Sequence, residues 1–198
     1  MPDPRRARTR ARLLEAGHRV IARDGVSGLR IADITAEAGV AIGSFQNHFA
    51  SKDELVAAVV REAIQSLAAE IVGAPGPDDP PAEVAMRALR RFVRLAHDDP
   101  AFCALIVNLA HGDELFVEAV RPFATDALRR AVDAGVFVIE DVDVAVSLIV
   151  GGALAVMRRS LDGLTEPGAD SRLARAVLLS MQVEPVEAER LSTLSLGN

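Results

Sequence analysis

The sequence predicts an all-α protein, and three observations carry that prediction. Half of its 198 residues are hydrophobic, yet only 4% are aromatic, with no Trp and no Tyr. A core of Ala, Val, Leu and Ile suits helices that approach closely through small residues better than it suits pleated strands. Apolar residues also recur at three- and four-residue spacing along nearly the whole chain. No alternating run of convincing length appears, Val136-Phe137-Val138-Ile139 being the ambiguous stretch.

Taken in order, Leu13, Leu14, Val20 and Ile21 form one stripe of a first helix over residues 5–24, which the Asp24-Gly25 pair should stop. Two short helical segments follow, Ile31 to Ala38 and Ile42 to His48, divided at Gly39. Ser51, with Glu54 three residues on, reads as a capping box opening a helix that continues through Leu55, Val59, Ile64 and Leu67 to about residue 72. The stretch 73–81 holds four prolines and two glycines and cannot be helical, so it is a loop or a domain border. Beyond it the periodicity predicts helices over 82–97, 101–111, 113–134, 141–162 and 170–183.

Charge is unevenly spread. The net charge is −6, but residues 1–52 hold nine bases (Arg5, Arg6, Arg8, Arg10, Arg12, Arg19, Arg23, Arg30, Lys52) against five acids, a net of +4, which leaves −10 on the remainder. A basic first quarter on an acidic body is the asymmetry of a chain that meets a polyanion at one end. The arm Arg5 to Arg12 fits either a DNA contact or a solvated terminus. Cys103 is the single cysteine, so neither an intrachain disulfide nor a Cys-based zinc site can form. It is either a redox sensor or a small buried apolar residue.

The basic N-terminus is followed by no uninterrupted apolar run. The most apolar later stretch, Val142 to Met157, contains Asp143 and falls short of the ~20 residues a membrane span needs. These readings predict a cytoplasmic protein without a membrane partner.

The most informative run is Ile31-Ala-Asp-Ile-Thr-Ala-Glu-Ala-Gly39-Val-Ala-Ile-Gly43-Ser-Phe-Gln-Asn-His-Phe49-Ala-Ser-Lys52. Two short helices joined at a glycine make a helix-turn-helix, whose second helix can enter the major groove of B-DNA. Ile31, Ile34, Ala38, Val40, Phe45 and Phe49 should lock it on the first helix, leaving Ser44, Gln46, Asn47 and His48 outside. Here the sequence resembles the tetracycline-repressor family of bacterial transcription regulators. The residues that carry the resemblance are Arg8-Thr-Arg-Ala-Arg-Leu-Leu-Glu-Ala, Asp33-Ile34, Ala38-Gly39-Val40, Gly43-Ser44-Phe45, His48-Phe49 and Ser51-Lys52-Asp53-Glu54-Leu55. The rest of the chain matches only in being helical.

The resemblance implies a three-helix helix-turn-helix DNA-binding domain over residues 1–52, a connecting helix over 52–72 and a helical effector-binding and dimerisation domain over 73–198. It puts Ser44 and His48 at DNA-contact positions and Lys52 on a phosphate beside the amides of its helix. The alternative for His48 is a packed imidazole. Arg8, Arg30 and Asn47 complete the candidate DNA-binding set. Three positions depart from the family pattern: Gln46 stands where members commonly carry Tyr, Ala41 where Ser or Thr often caps, and Arg30 before the second helix. Gln can bond adenine bidentately, so Gln46 is expected to read a base. The missing cap at Ala41 should cost about 1 kcal/mol and loosen the recognition helix.

A lone helix-turn-helix works as a two-fold dimer on double-stranded operator DNA, with half-sites ~34–36 Å apart or multiples of that. The resemblance implies that the last two long helices supply the homodimer face, with Val146, Ile149, Val150, Ala153, Met157, Leu173, Val177 and Met181 as candidates and Gly151-Gly152 permitting close approach; the alternative, intrachain core, must also hold for part of the stripe. It also implies a pocket for a small-molecule effector among the middle helices. Phe92, Phe102, Cys103, Ile106, Leu109, Phe116, Phe123 and Met157 are candidates to line it, with Asn108, His111 or Arg121 as polar handles. The alternative for the apolar residues is ordinary core. Their number predicts a hydrophobic effector, and since occupancy alone can block a promoter, a repressor is expected over an activator.

The rival readings are weaker. Glu15-Ala-Gly-His18 is one Glu-x-x-His pair, and a di-iron bundle needs two. No phosphate loop, dinucleotide fingerprint, nucleophile elbow or HExxH stands in the chain, so neither catalysis nor a cofactor is expected. A helical interaction module without DNA is the remaining alternative.

Overall fold

The computed structural model describes residues 4–72, 79–112 and 114–196. Every regular element among them is helical: α1 (Pro4–Gly28), α2 (Ile31–Ala38), a 3₁₀ helix (Ile42–Asn47), α3 (Lys52–Val72), α4 (Pro81–Asp98), α5 (Pro100–Gly112), α6 (Glu114–Asp133), α7 (Val142–Leu161), α8 (Ala169–Ser180) and α9 (Pro185–Ser192). The ambiguous stretch 136–139 lies outside any helix or strand. Its Phe137 is buried, and the Val138 N–H donates to the Met181 carbonyl at 3.2 Å.

Packing divides the chain into two compact units: the first joins Met1–Gln65 to Ala101–Val117, and the second joins Ser66–Pro100 to Glu118–Asn198. The helix α5 is thus grouped with the N-terminal elements. The reason is the composition of α5: Cys103, Leu105, Ile106, Val107 and Leu109 are buried almost all the way round it.

In the first unit α1 packs on α2, and α2 on the 3₁₀ helix. Leu13, Val20, Ile21, Ile34, Leu55 and Val59 are fully buried. Gly17 lets α1 and α3 touch: an added Cβ would lie 2.8 Å from Leu55 Cδ2 and 3.3 Å from Val59 Cγ2. The stop foreseen at Asp24-Gly25 is a kink at Gly25, after which helix resumes to Gly28. Asn108 of α5 ties itself to that end of α1, its Nδ2 donating to the carbonyls of Ile21 at 3.1 Å and Ala22 at 2.9 Å.

In the second unit α4 packs against α7, α8 and α9. Its buried stripe includes Ala85, Met86, Leu89, Phe92 and Val93, together with Arg90, which pairs with buried Asp170 at 2.9 Å. The helix α9 follows the last helix anticipated from periodicity. Pro185 occupies its first turn, where a missing N–H does no harm, and Ala188 and Leu191 bury one side of it.

The helix α7 corrects an expectation. It runs 20 residues to Leu161, and by length and composition alone it is, among the described residues, the helix that could cross a membrane. Only 17% of its apolar window is buried. The helix opens on Asp141, whose Oδ1 accepts from the N–H groups of Asp143 at 2.9 Å and Val144 at 3.1 Å.

Candidate functional site

The head is built around one turn. The helix α2 ends at Gly39 in the left-handed region (φ 63°, ψ 41°), with its N–H directed to the Ala36 and Thr35 carbonyls. Only glycine takes this conformation without strain, and an added Cβ would also come 2.9 Å from an Arg12 guanidinium nitrogen. Val40 and Ala41 then lead into the 3₁₀ helix. Neither Arg30 nor Ala41 supplies a side-chain cap, as their identities predict.

Two aromatic anchors hold the segment. Phe45 and Phe49 are each 1% exposed, with ring centroids 5.7 Å apart, and the Arg10 guanidinium carbon lies 4.9 Å over the Phe49 ring. With these rings inward, Gln46 and Asn47 are exposed, Ser44 and His48 half-buried, and the His48 Nδ1 is buried without a hydrogen-bond partner. Arg6 Nη2 donates to the Asn47 carbonyl at 3.0 Å. An added Cβ on Gly43 would meet nothing within 4 Å, so this side of the segment is open. Lys52 starts α3, where Ser51 Oγ accepts from the Glu54 N–H at 3.1 Å. Glu54 Oε2 returns a bond from the Ala50 N–H at 2.6 Å, one residue earlier than the usual capping box.

The cations of the head fall into two groups. Arg19 bridges Glu15 (2.7 Å) and Glu37 (2.8 Å), Arg23 holds Asp24 (2.8 Å), and Arg12 Nη2 donates to the Gly39 carbonyl at 3.2 Å. The Arg19–Glu37 pair and the Arg12 bond fasten α1 to α2 and its turn, while Glu15 and Asp24 are partners on α1 itself. Arg8, Arg30 and Lys52 have no ion pair among the described residues, so they remain available to an anion. Glu15 and His18 turn to different partners: His18 Nε2 lies 3.3 Å from Glu62 Oε2, and burial keeps the imidazole below its ordinary pKa against the pull of Glu62.

The second unit contains a cavity of about 120 Å³ between α3, α4, α6 and α7. Leu67 and Ile71 line it from α3, Ala85, Met86, Ala88, Leu89 and Phe92 from α4, Val120, Phe123, Ala124, Ala127 and Leu128 from α6, and Ile149, Val150 and Ala153 from α7. Of the candidate lining residues, Phe92 and Phe123 are brought together here. Phe102, Cys103, Ile106, Leu109, Asn108 and His111 are not, since they sit on α5 in the first unit. Cys103, Ile106 and Leu109 are core there, Phe102 is half-buried, and the His111 Nδ1 lies 2.6 Å from the Val107 carbonyl. Met157 is fully buried without lining the cavity, and the Phe116 side chain lies outside the described residues.

Within the single chain, most of the stripe anticipated as the dimer face is covered. Val146, Met157, Val177 and Met181 are buried within the chain and Leu173 is half-buried, while Ile149, Val150 and Ala153 line the cavity. The outward stripe of α7 is displaced around the helix: Val144 (64% exposed), Leu148 (62%), Gly151 and Ala155. Ala176 and Leu179 are the exposed apolar positions of α8.

Two family models match the chain: the bacterial regulatory proteins of the tetR family over residues 13–59, and the tetracyclin repressor-like C-terminal domain over residues 79–193. The chain belongs to the TetR family. It is an all-α transcriptional regulator in which a DNA-binding region precedes the family's ligand-binding C-terminal domain.

Solved structures agree. RolR in complex with resorcinol is 28% identical with a TM-score of 0.74, the match covering 98% of this chain and 97% of that one. An ArpA-like γ-butyrolactone receptor (22% identity, TM-score 0.69, 96% of each chain) shares the fold. So does a TetR-family regulator from Vibrio parahaemolyticus (22%, TM-score 0.70, 87% of this chain and 98% of that one). No curated protein matches the sequence significantly.

One feature of this TetR head escaped the sequence reading. Ile42, the first residue of the 3₁₀ helix, is 63% exposed, an apolar side chain on the outer side of the segment that was not among the candidates. Its position immediately after the extended Ala41 was the available signal.

Proposed function

We propose that this TetR-family regulator is a cytoplasmic homodimeric repressor, released from double-stranded operator DNA by a small hydrophobic effector and working by binding alone. The observation that carries the proposal is the division of the segment 42–52: its two Phe side chains are inward while Ile42, Gln46 and Asn47 are outward, and Arg8, Arg30 and Lys52 have no ion pair among the described residues. In this reading residues 1–52 are the DNA-binding domain, 52–72 the connecting helix and 73–198 the effector and dimer domain. Gln46 bonds an adenine edge, Ile42 packs on a thymine methyl, and Ser44, Asn47 and His48 complete the contact. Arg8, Arg30 and Lys52 hold phosphates.

The second unit supports the regulatory half. RolR binds resorcinol, and the cavity between α3, α4, α6 and α7 is where an effector of this chain would sit. Because α7 lines that cavity with Ile149, Val150 and Ala153 and turns Val144 and Leu148 outward, one helix touches both effector and partner. An effector that prefers one arrangement of the dimer changes the separation of its two heads and so weakens DNA binding.

The test uses sequences selected by the purified protein from a random DNA library. Gln46→Ala should relax preference at one base step, at a cost of about 1–3 kcal/mol on the best site; an unchanged base profile contradicts its reading role. Lys52→Ala should weaken binding to all sequences alike and lower the salt slope by about one, read by fluorescence anisotropy against salt concentration. Leu148→Arg should yield monomers in sedimentation, because it places an unpaired charge in the centre of the apolar face. A dimer that persists in that variant would place the interface elsewhere.

A further inference from the structure

We infer that the cavity of the second unit takes a small neutral molecule with no hydroxyl or charged group, of the size and kind of toluene, and discriminates against phenols and carboxylates. This rests on the reading of that cavity as the effector site. Among the described residues, every side chain facing it is Ala, Val, Leu, Ile, Met or Phe, contributed by four helices. The polar groups that could have served as handles are engaged elsewhere: Asn108 on the carbonyls of α1, His111 at the Val107 carbonyl, and Arg121 on Ser147 Oγ at 3.1 Å and the Asp143 carbonyl at 3.5 Å.

A hydroxyl carried into such surroundings loses its hydrogen bonds to water and gains none, which weakens binding about 10- to 100-fold per group. The two hydroxyls of resorcinol, the ligand of RolR, are therefore a liability here. Size points the same way. The cavity of about 120 Å³ is close in volume to the apolar protein cavities of ~150 Å³ that take up benzene or xenon, and unlike them it opens to solvent on one side. Phe123 lines it and is 51% exposed, which makes its ring the part of the wall nearest solvent.

The experiment is thermal unfolding of the full-length protein in the presence of toluene, resorcinol or benzoate at about 1 mM each, with retained genomic DNA fragments scored for release in parallel. Toluene is expected to raise Tm by about 3 °C and the two polar probes by less than about 1 °C. Ala127→Phe, at a half-buried wall position, should fill the cavity and abolish the toluene shift. Should that variant fail to fold, a crystal of the wild type under xenon pressure supplies the second readout, with xenon expected between Leu89, Phe92 and Ala153. A toluene shift with DNA release supports the inference and the effector reading together. A toluene shift without release supports the inference and overturns the effector reading. A resorcinol or benzoate shift that equals or exceeds that of toluene overturns the inference and leaves the effector reading standing. No shift with any probe and no xenon in the cavity overturns the inference.

Discussion

Arg90→Ala will destabilise the protein by about 3–5 kcal/mol, a fall in Tm of about 10 °C for a chain of this length. The guanidinium sits inside the second unit, with Nε donating to Asp170 Oδ2 at 2.9 Å and Nη1 to the Leu194 carbonyl at 2.5 Å. Both charged side chains are only 9% exposed, and the contact joins α4 to α8 and to the segment after α9. Removing the cation leaves the Asp170 carboxylate buried without its partner, which costs far more than the pair contributes. The comparison that isolates this cause is Arg90→Met combined with Asp170→Leu. That double variant removes both charges and should recover most of the loss, as measured by urea unfolding.

Phe45→Ala should cost about 3–5 kcal/mol through the cavity it leaves, and it should abolish sequence-specific DNA binding even in molecules that remain folded. The segment it anchors is six residues of 3₁₀ helix with no side-chain cap at either end. Such a piece has little stability of its own, so its position depends on Phe45 and Phe49 against the rest of the head. Phe45→Leu keeps most of the buried area and should retain measurable binding. Circular dichroism and anisotropy on selected DNA separate the two effects: a folded Phe45→Ala variant that still selects the wild-type sequence would show that the anchor does not position the reading surface.

What could be read without the fold was whatever depends on neighbours in sequence. Gly39 as a left-handed turn and the Ser51 and Glu54 cap are local chemistry, and each helix start or stop in the middle of the chain fell within a few residues of its place; most of the proline-rich stretch 73–81 lies outside the described residues, and its last residue, Pro81, opens α4. The helix α9 was missed because only Ala188, Leu191 and Ser192 bury its eight residues, too few to establish a period.

Partners distant in sequence were not legible. Cys103, Ile106 and Asn108 look like pocket residues because an apolar helix with one amide could face a ligand. What decides their role is that Asn108 meets carbonyls more than eighty residues away. The same limit displaced the outward stripe of α7. Both faces of that helix are apolar, so periodicity alone could not tell Val146 and Ala153, which are buried, from Val144 and Leu148, which are not. The 3₁₀ form of the recognition segment was not legible either: the absent cap at Ala41 pointed to a loose helix, and nothing in six residues distinguishes an i→i+3 from an i→i+4 ladder.

Sequencing the genomic fragments that the purified, full-length protein retains at low salt is the most direct measurement of whether this chain is an operator-binding repressor. Enrichment of a few promoter-proximal fragments sharing an inverted repeat, its half-sites separated by one helical turn of ~34–36 Å or a multiple of it, is the result predicted here. Retention that shows no common sequence, or no retention at all, would contradict it.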